Sequence, residues 1–169
     1  GLTAEGIALI KYANVLNMLI DVSHMNEKAF WDTARHSSSP LVATHSNAHT
    51  LCPQPRNLTD RQLLAIRDSG GVAGVNFGNA FLRADGKRDS DTPLSTIVRH
   101  IDYLINIMGD DHVALGSDFD GITLPDDLHD VSGLPRLISA LRDSGYDQFV
   151  LNKLLWGNWQ KVLQNVWQQ

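Results

Sequence analysis

Several things are scarce in this sequence, and each scarcity excludes something. There is one cysteine, Cys52, in 169 residues. A single thiol rules out an internal disulfide framework and a cysteine-based zinc site. No paired base stands near it, so a thiol nucleophile is not expected. Basic residues are outnumbered: 14 Lys and Arg against 19 Asp and Glu leave a net charge of −5. A nucleic-acid binder needs a basic footprint, and none is present. No apolar run nears the roughly 18 residues of a membrane span. The start, Gly1-Leu2-Thr3-Ala4-Glu5, has neither the basic residues nor the apolar core of a signal peptide. It also lacks Met and reads like the interior of a longer chain. No Gly-x-Gly-x-x-Gly or Walker A loop follows any apolar run, which weighs against a nucleotide-binding sheet.

What remains is an ordinary globular composition, 43 % hydrophobic and 20 % charged. The length suits one domain spanning 1–169. Thr3 caps a helix in which Ile7, Ile10, Ala13, Val15 and Leu16 recur at helical spacing. Met18-Leu19-Ile20-Asp21-Val22 is a short apolar run suited to a buried strand. Asn26 opens a helix to about His36, and Leu41-Val42-Ala43-Thr44 forms a second strand. Thr59 and Asp60 open a helix that stops at Gly70-Gly71. A third strand, 71–77, contains glycines that suggest tight packing. Pro93 sits in the first turn of a helix reaching Met108. His112 to Gly116 is the fourth strand, and helices follow near 133–144, 147–155 and 158–167. Four short strands alternating with helices predict an α/β fold with a parallel sheet. An open doubly wound sheet and half of a (β/α)8 TIM-type barrel both fit that order.

Each apolar run ends in residues with chemistry: Asp21 and His24, then His45 and Ser46, then Asn76, then Asp118 and Asp120. In parallel α/β proteins those ends share one face, and reacting groups converge there. His24 and His45 suit a zinc ion, because imidazole is a borderline ligand. Two structural histidines at strand ends fit the pattern equally well. Asp118 reads as a proton carrier, an ammonium ligand or a metal ligand, or else as a turn or helix-capping residue before Asp120-Gly121. Arg56 could clamp a carboxylate at two points, or be a solvated surface side chain. His36, His49, His112 and His129 read as surface or structural. His100 and Asp102 lie on a helix, in a second layer or facing solvent.

These residues resemble the membrane (renal) dipeptidase family, peptidase family M19. The resemblance rests on Gly1-Leu2-Thr3 with its helix, Met18-Leu19-Ile20-Asp21-Val22-Ser23-His24, Thr44-His45-Ser46-Asn47-Ala48, Pro55-Arg56-Asn57-Leu58 and Val75-Asn76-Phe77. It continues through His100-Ile101-Asp102, Gly116-Ser117-Asp118-Phe119-Asp120-Gly121 and Gly157-Asn158. The resemblance implies a zinc-dependent dipeptidase on a distorted (β/α)8 barrel, with two zinc ions sharing a water and a bridging glutamate. In this chain His24 and His45 match the two ligands of one zinc. Arg56 matches the residue facing the substrate carboxylate, and Asp118 matches a substrate-binding residue near the scissile nitrogen. The other zinc's strand-end His-x-Asp pair has no counterpart, and neither Glu5 nor Glu27 matches the bridging glutamate.

The resemblance therefore covers the C-terminal half of the barrel and its helical tail. At most one partly formed zinc site is expected, and the chain alone should not turn over substrate. The partners implied are a dipeptide and the missing N-terminal half, or a second copy in a homodimer. Neither nucleic acid nor membrane is expected, and the bacterial members imply a cytoplasmic location. A non-catalytic remnant and an amidohydrolase-type barrel are the competing readings.

Overall fold

The computed structural model describes residues 1–167. Four parallel strands form one sheet: β1 (Ile20–Asp21), β2 (Leu41–Ala43), β3 (Val72–Asn76) and β4 (Val113–Ser117). Their spatial order is β1-β2-β3-β4, so each strand lies beside the next in sequence. A doubly wound sheet would reverse direction at a switch point, and this one does not. Steady progression in one direction is the winding of a (β/α) barrel.

The helices are α1 (Ala4–Val15), α2 (Glu27–His36), α3 (Asp60–Asp68), α4 (Asn79–Leu82) and α5 (Leu94–Met108). The tail carries α6 (Leu134–Asp143), α7 (Gln148–Asn152) and α8 (Asn158–Trp167). Asn26 caps α2 with its side chain, and Thr59 and Gln62 form a reciprocal capping box on α3. Pro93 stands at the cap of α5, one position before the expected first turn. A π turn, Lys153–Gly157, joins α7 to α8 where two separate helices were expected.

Strand alternation separates two faces. Leu41, Ala43, Ala73, Val75 and Val113 join the main core with Phe30, Leu63, Ile66, Ile97, Ile101 and Leu104 of the helices. Val42, Val72 and Ala114 point the other way and meet Val162 of α8. The glycines of β3 and β4 lie on that second face. A Cβ on Gly74 or Gly116 would stand 2.2 or 2.1 Å from the carbonyl oxygen of Thr44. Only glycine permits this approach, which confirms the tight packing expected of β3.

The first strand is shorter than the apolar run 18–22 predicts. Asn17 adopts φ 54°, and the Met18 amide bonds back to Ala13 O at 2.9 Å, so the run's first residue terminates α1. Ile10 is the one buried residue of α1, whereas Tyr12 is 62 % and Val15 76 % exposed. The helix expected from the periodicity is present, and nothing among the described residues covers its outer face. At the other side of the sheet, Asn158 donates to Val113 O and Trp159 to Leu115 O. The tail thus satisfies two carbonyls of the outermost strand. No helix of the described residues is long and apolar enough to cross a membrane.

Candidate metal and substrate site

The carboxyl ends of the four strands supply the polar groups, as the parallel arrangement requires. The backbone there is strained. His24, Ser117, Asp118 and Asp120 all have positive φ, at 69°, 47°, 73° and 66°. Left-handed backbone in non-glycine residues is uncommon and clusters where function fixes a side chain. The sheet register also slips here: Val75 pairs with Leu115, but Asn76 pairs with Ser117.

Around His45 the proton positions can be counted. The Thr44 hydroxyl donates to Asp21 Oδ2 at 2.6 Å and lies 2.6 Å from His45 Nδ1. A hydroxyl has one proton, so His45 Nδ1 must be the donor to Thr44 Oγ1. Burial raises the Asp21 carboxyl, but hydrogen bonds from Thr44 and Ser23 outweigh it and hold the group below its ordinary range. Asp21 is therefore an acceptor. Burial also pushes the His45 imidazole down, opposed by Asp118 and Asp21 and reinforced by Arg56 and His24. His45 is neutral with the lone pair on Nε2.

His24 arrives at the same assignment from the other side. Arg56 Nη2 lies 3.0 Å from His24 Nε2, and a guanidinium can only donate. His24 Nε2 is thus an acceptor too. The two Nε2 atoms nevertheless stand 2.9 Å apart. Two lone pairs confront each other, and neither ring has a proton to place between them. Protonating His24 would replace that conflict with one against Arg56. A cation shared by both nitrogens removes the conflict between the rings, with Arg56 Nη2 giving up the His24 lone pair to it. Two nitrogen donors on one tetrahedral ion are separated by about 3.3 Å, close to the separation found here. The donor set fits a metal ion, with the Asp21–Thr44 pair orienting one ligand from behind. Among the described residues no group of three or more His, Cys, Asp and Glu could hold an ion. Among the described residues, the pair His24 and His45 is what converges here.

Arg56 faces both ways. Its Nη2 meets His24, its guanidinium stacks over Phe81 at 5.5 Å, and its Nη1 is buried with no partner. Burial pushes its pKa down while Asp118 and Asp21 oppose the shift. An unpaired buried donor on a cation is costly unless an anion arrives. Asp118 accepts from Asn76 Nδ2 at 2.8 Å through Oδ2. Among the described residues Oδ1 has no hydrogen-bond partner. His24, Arg56 and Asp118 line one cleft of about 540 Å³.

The four residues expected from the sequence, His24, His45, Arg56 and Asp118, are therefore neighbours. His112 is structural, bonding Gly71 O through Nδ1, and His129 is exposed beside Asp130. His100 is fully buried, whereas Asp102 is exposed and accepts from Tyr146. Sequence reasoning missed Thr44 and Phe81. It also missed the bracing by Asn47, whose side chain bonds the backbone of Asn76 and Phe81, and by Asn57, which bonds Cys52 O and Phe81 O. For Thr44, Asn47 and Asn57 the one available signal was position within two residues of His45 or Arg56, and Phe81 had none.

Residues 1–169 match the family Membrane dipeptidase (Peptidase family M19). An uncharacterized protein of the pqqA 5′ region in Klebsiella pneumoniae is 83 % identical over 169 residues, which are 100 % of this chain and 62 % of that protein. The crystal structure of the dipeptidase AC, a metallo peptidase of family M19, superposes with a TM-score of 0.98 at 50 % identity. That match covers 100 % of this chain and 50 % of the other. A metallo peptidase from Rhodobacter sphaeroides, liganded with a phosphinate mimic of the dipeptide L-Ala-D-Ala, gives 0.97 at 50 % identity. It covers 99 % of this chain and 48 % of that one. The chain thus spans about half to three-fifths of these relatives, at the C-terminal part of the family. With a match running its whole length and the site residues assembled at the strand ends, the chain belongs to the membrane dipeptidase family, peptidase family M19.

Proposed function

We infer that this chain forms the substrate-reading half of a zinc-dependent dipeptidase site, within one half of a (β/α)8 barrel. The observation that carries this reading is the pair of opposed acceptors, His24 Nε2 and His45 Nε2, 2.9 Å apart. Neutral imidazole pairs suit zinc. Zinc held there supplies the Lewis acidity that activates water and polarises a scissile carbonyl. The chain's own residues fix the substrate around that centre. Arg56 holds the terminal carboxylate through its unpaired Nη1. Asp118, anchored by Asn76 on Oδ2, carries a proton on Oδ1 to the departing amine nitrogen. A cation at one end and an acid at the other measure substrate length, so a longer peptide places no carboxylate at Arg56.

Two histidines do not complete a catalytic zinc site, which ordinarily takes three protein ligands. The further ligands come from residues outside these 169 or from a partner chain. The test is to assay the full-length protein, loaded with zinc, on a dipeptide, a tripeptide and a cyclic amide. Hydrolysis of the dipeptide alone is expected. Hydrolysis of the cyclic amide without the dipeptide would favour an amidohydrolase-type activity and overturn the reading. The 169-residue chain with added zinc should show no dipeptide turnover.

A further inference from the structure

We propose that Arg88 selects dipeptides whose C-terminal residue carries a side-chain carboxylate, an inference that rests on the dipeptidase reading of the cleft. Arg88 lines the same cleft as His24, Arg56, Phe81, Asp118 and Asp120. It arrives on the segment that follows β3, and so does Phe81, the ring over which Arg56 stacks. When Arg56 holds the α-carboxylate, the side chain of that same substrate residue branches one carbon away. A cation contributed by the Phe81 segment is the charged group suited to meet it.

Two carboxylates of its own segment are already taken. Arg83 takes Asp85 through two bonds of 2.9 Å and also reaches Asp89. Among the described residues Arg88 has no hydrogen bond and no ion pair. The segment bearing it is braced on both sides. Gly86 adopts φ +67° against Gln54, where a Cβ would come within 2.2 Å of Gln54 Nε2, and Ser90 O accepts from the Asp126 amide at 3.0 Å. Arg88 is thus an unpaired cation on a held loop, lining the same cleft as a second guanidinium whose Nη1 also lacks a partner. Asp118 and Asp120 line the same cleft, so it carries both signs of charge rather than being uniformly basic. A ligand with two carboxylates at one end and an amine at the other matches that distribution.

The experiment compares Ala-Asp with Ala-Asn, isosteric and uncharged, in the zinc-loaded full-length enzyme. The parent should favour Ala-Asp in kcat/KM by about fivefold, the upper range for an exposed charge pair. Arg88→Ala should bring the ratio near one, chiefly through KM, and Arg88→Lys should keep most of it. Raising the salt concentration should shrink the parent's preference as well. Turnover with a ratio that Arg88→Ala leaves unaltered overturns the role of Arg88 alone. Absence of turnover on every dipeptide overturns the dipeptidase reading and this inference with it.

Discussion

Two regions of the molecule hold histidines, and they treat the ring nitrogens in opposite ways. Beneath the site, His100 of α5 has both nitrogens matched by protein. Its Nδ1 accepts from the Ala48 amide at 3.3 Å, so Nε2 donates to Leu82 O at 3.0 Å. At the strand ends, His24 and His45 each present an accepting Nε2 to the other, and protein alone leaves that contact unsatisfied. The difference separates scaffold from site. A histidine whose donors and acceptors close within the fold fixes loops, here the ones carrying Ala48 and Leu82. A pair whose proton count fails to close is, in the proposed function, the place for a cation.

The sharpest way to break this contrast is to remove one member of the open pair. His45→Ala in the full-length, zinc-loaded enzyme should lower dipeptide turnover by more than about a hundredfold, since second-layer changes alone reach that scale. Zinc content measured on the same sample should fall with it. His100 should respond to acid instead. Burial outweighs the Leu82 bond and lowers its pKa to about 4, below the 6.5 of a free histidine. Between those values the unfolded chain binds a proton that the folded chain refuses. Stability is therefore full above about pH 6.5 and declines as pH falls toward 4, by about 3 kcal/mol in all. Thermal melts of the parent and His100→Gln should show this: the variant starts less stable at pH 7 and loses less on acidification. An equal slope in both would assign the acid sensitivity elsewhere.

Smaller effects sharpen the same comparison. Thr44→Val keeps the shape of the side chain but removes the acceptor that holds His45 Nδ1. Zinc affinity should weaken by about tenfold or somewhat more, with the melting temperature little changed. A loss of fold without loss of affinity would make Thr44 scaffold, like His100. Arg56→Lys retains the charge but gives up the planar guanidinium that aims Nη1 into the cleft while stacking on Phe81. KM for a dipeptide should rise by about tenfold while kcat falls less.

Much of the framework was legible because its signals are local. Short apolar runs marked β2 to β4, and Asn26 and Thr59 announced their helices. The placement of His24, His45 and Asp118 at strand ends was visible for the same reason. Arg56 was harder, because its meaning depends on a buried, unpaired Nη1 that spacing cannot show. The fate of α1 was not legible at all. Its apolar residues repeat as a buried helix's would, yet Tyr12 and Val15 lie open, since periodicity reveals an apolar face but not what covers it. Asn47 and Asn57 were hidden likewise, as their work is to satisfy carbonyls brought close by the fold alone.

The most direct test of the central claim is nitrogen NMR of the histidine rings during a zinc titration of the full-length protein. Without zinc, His45 should show the tautomer with its proton on Nδ1. On addition of zinc the Nε2 resonances of His24 and His45 should shift together, while His100 keeps its metal-free signals. A proton on His45 Nε2, or zinc binding that leaves both Nε2 resonances in place, would contradict the account.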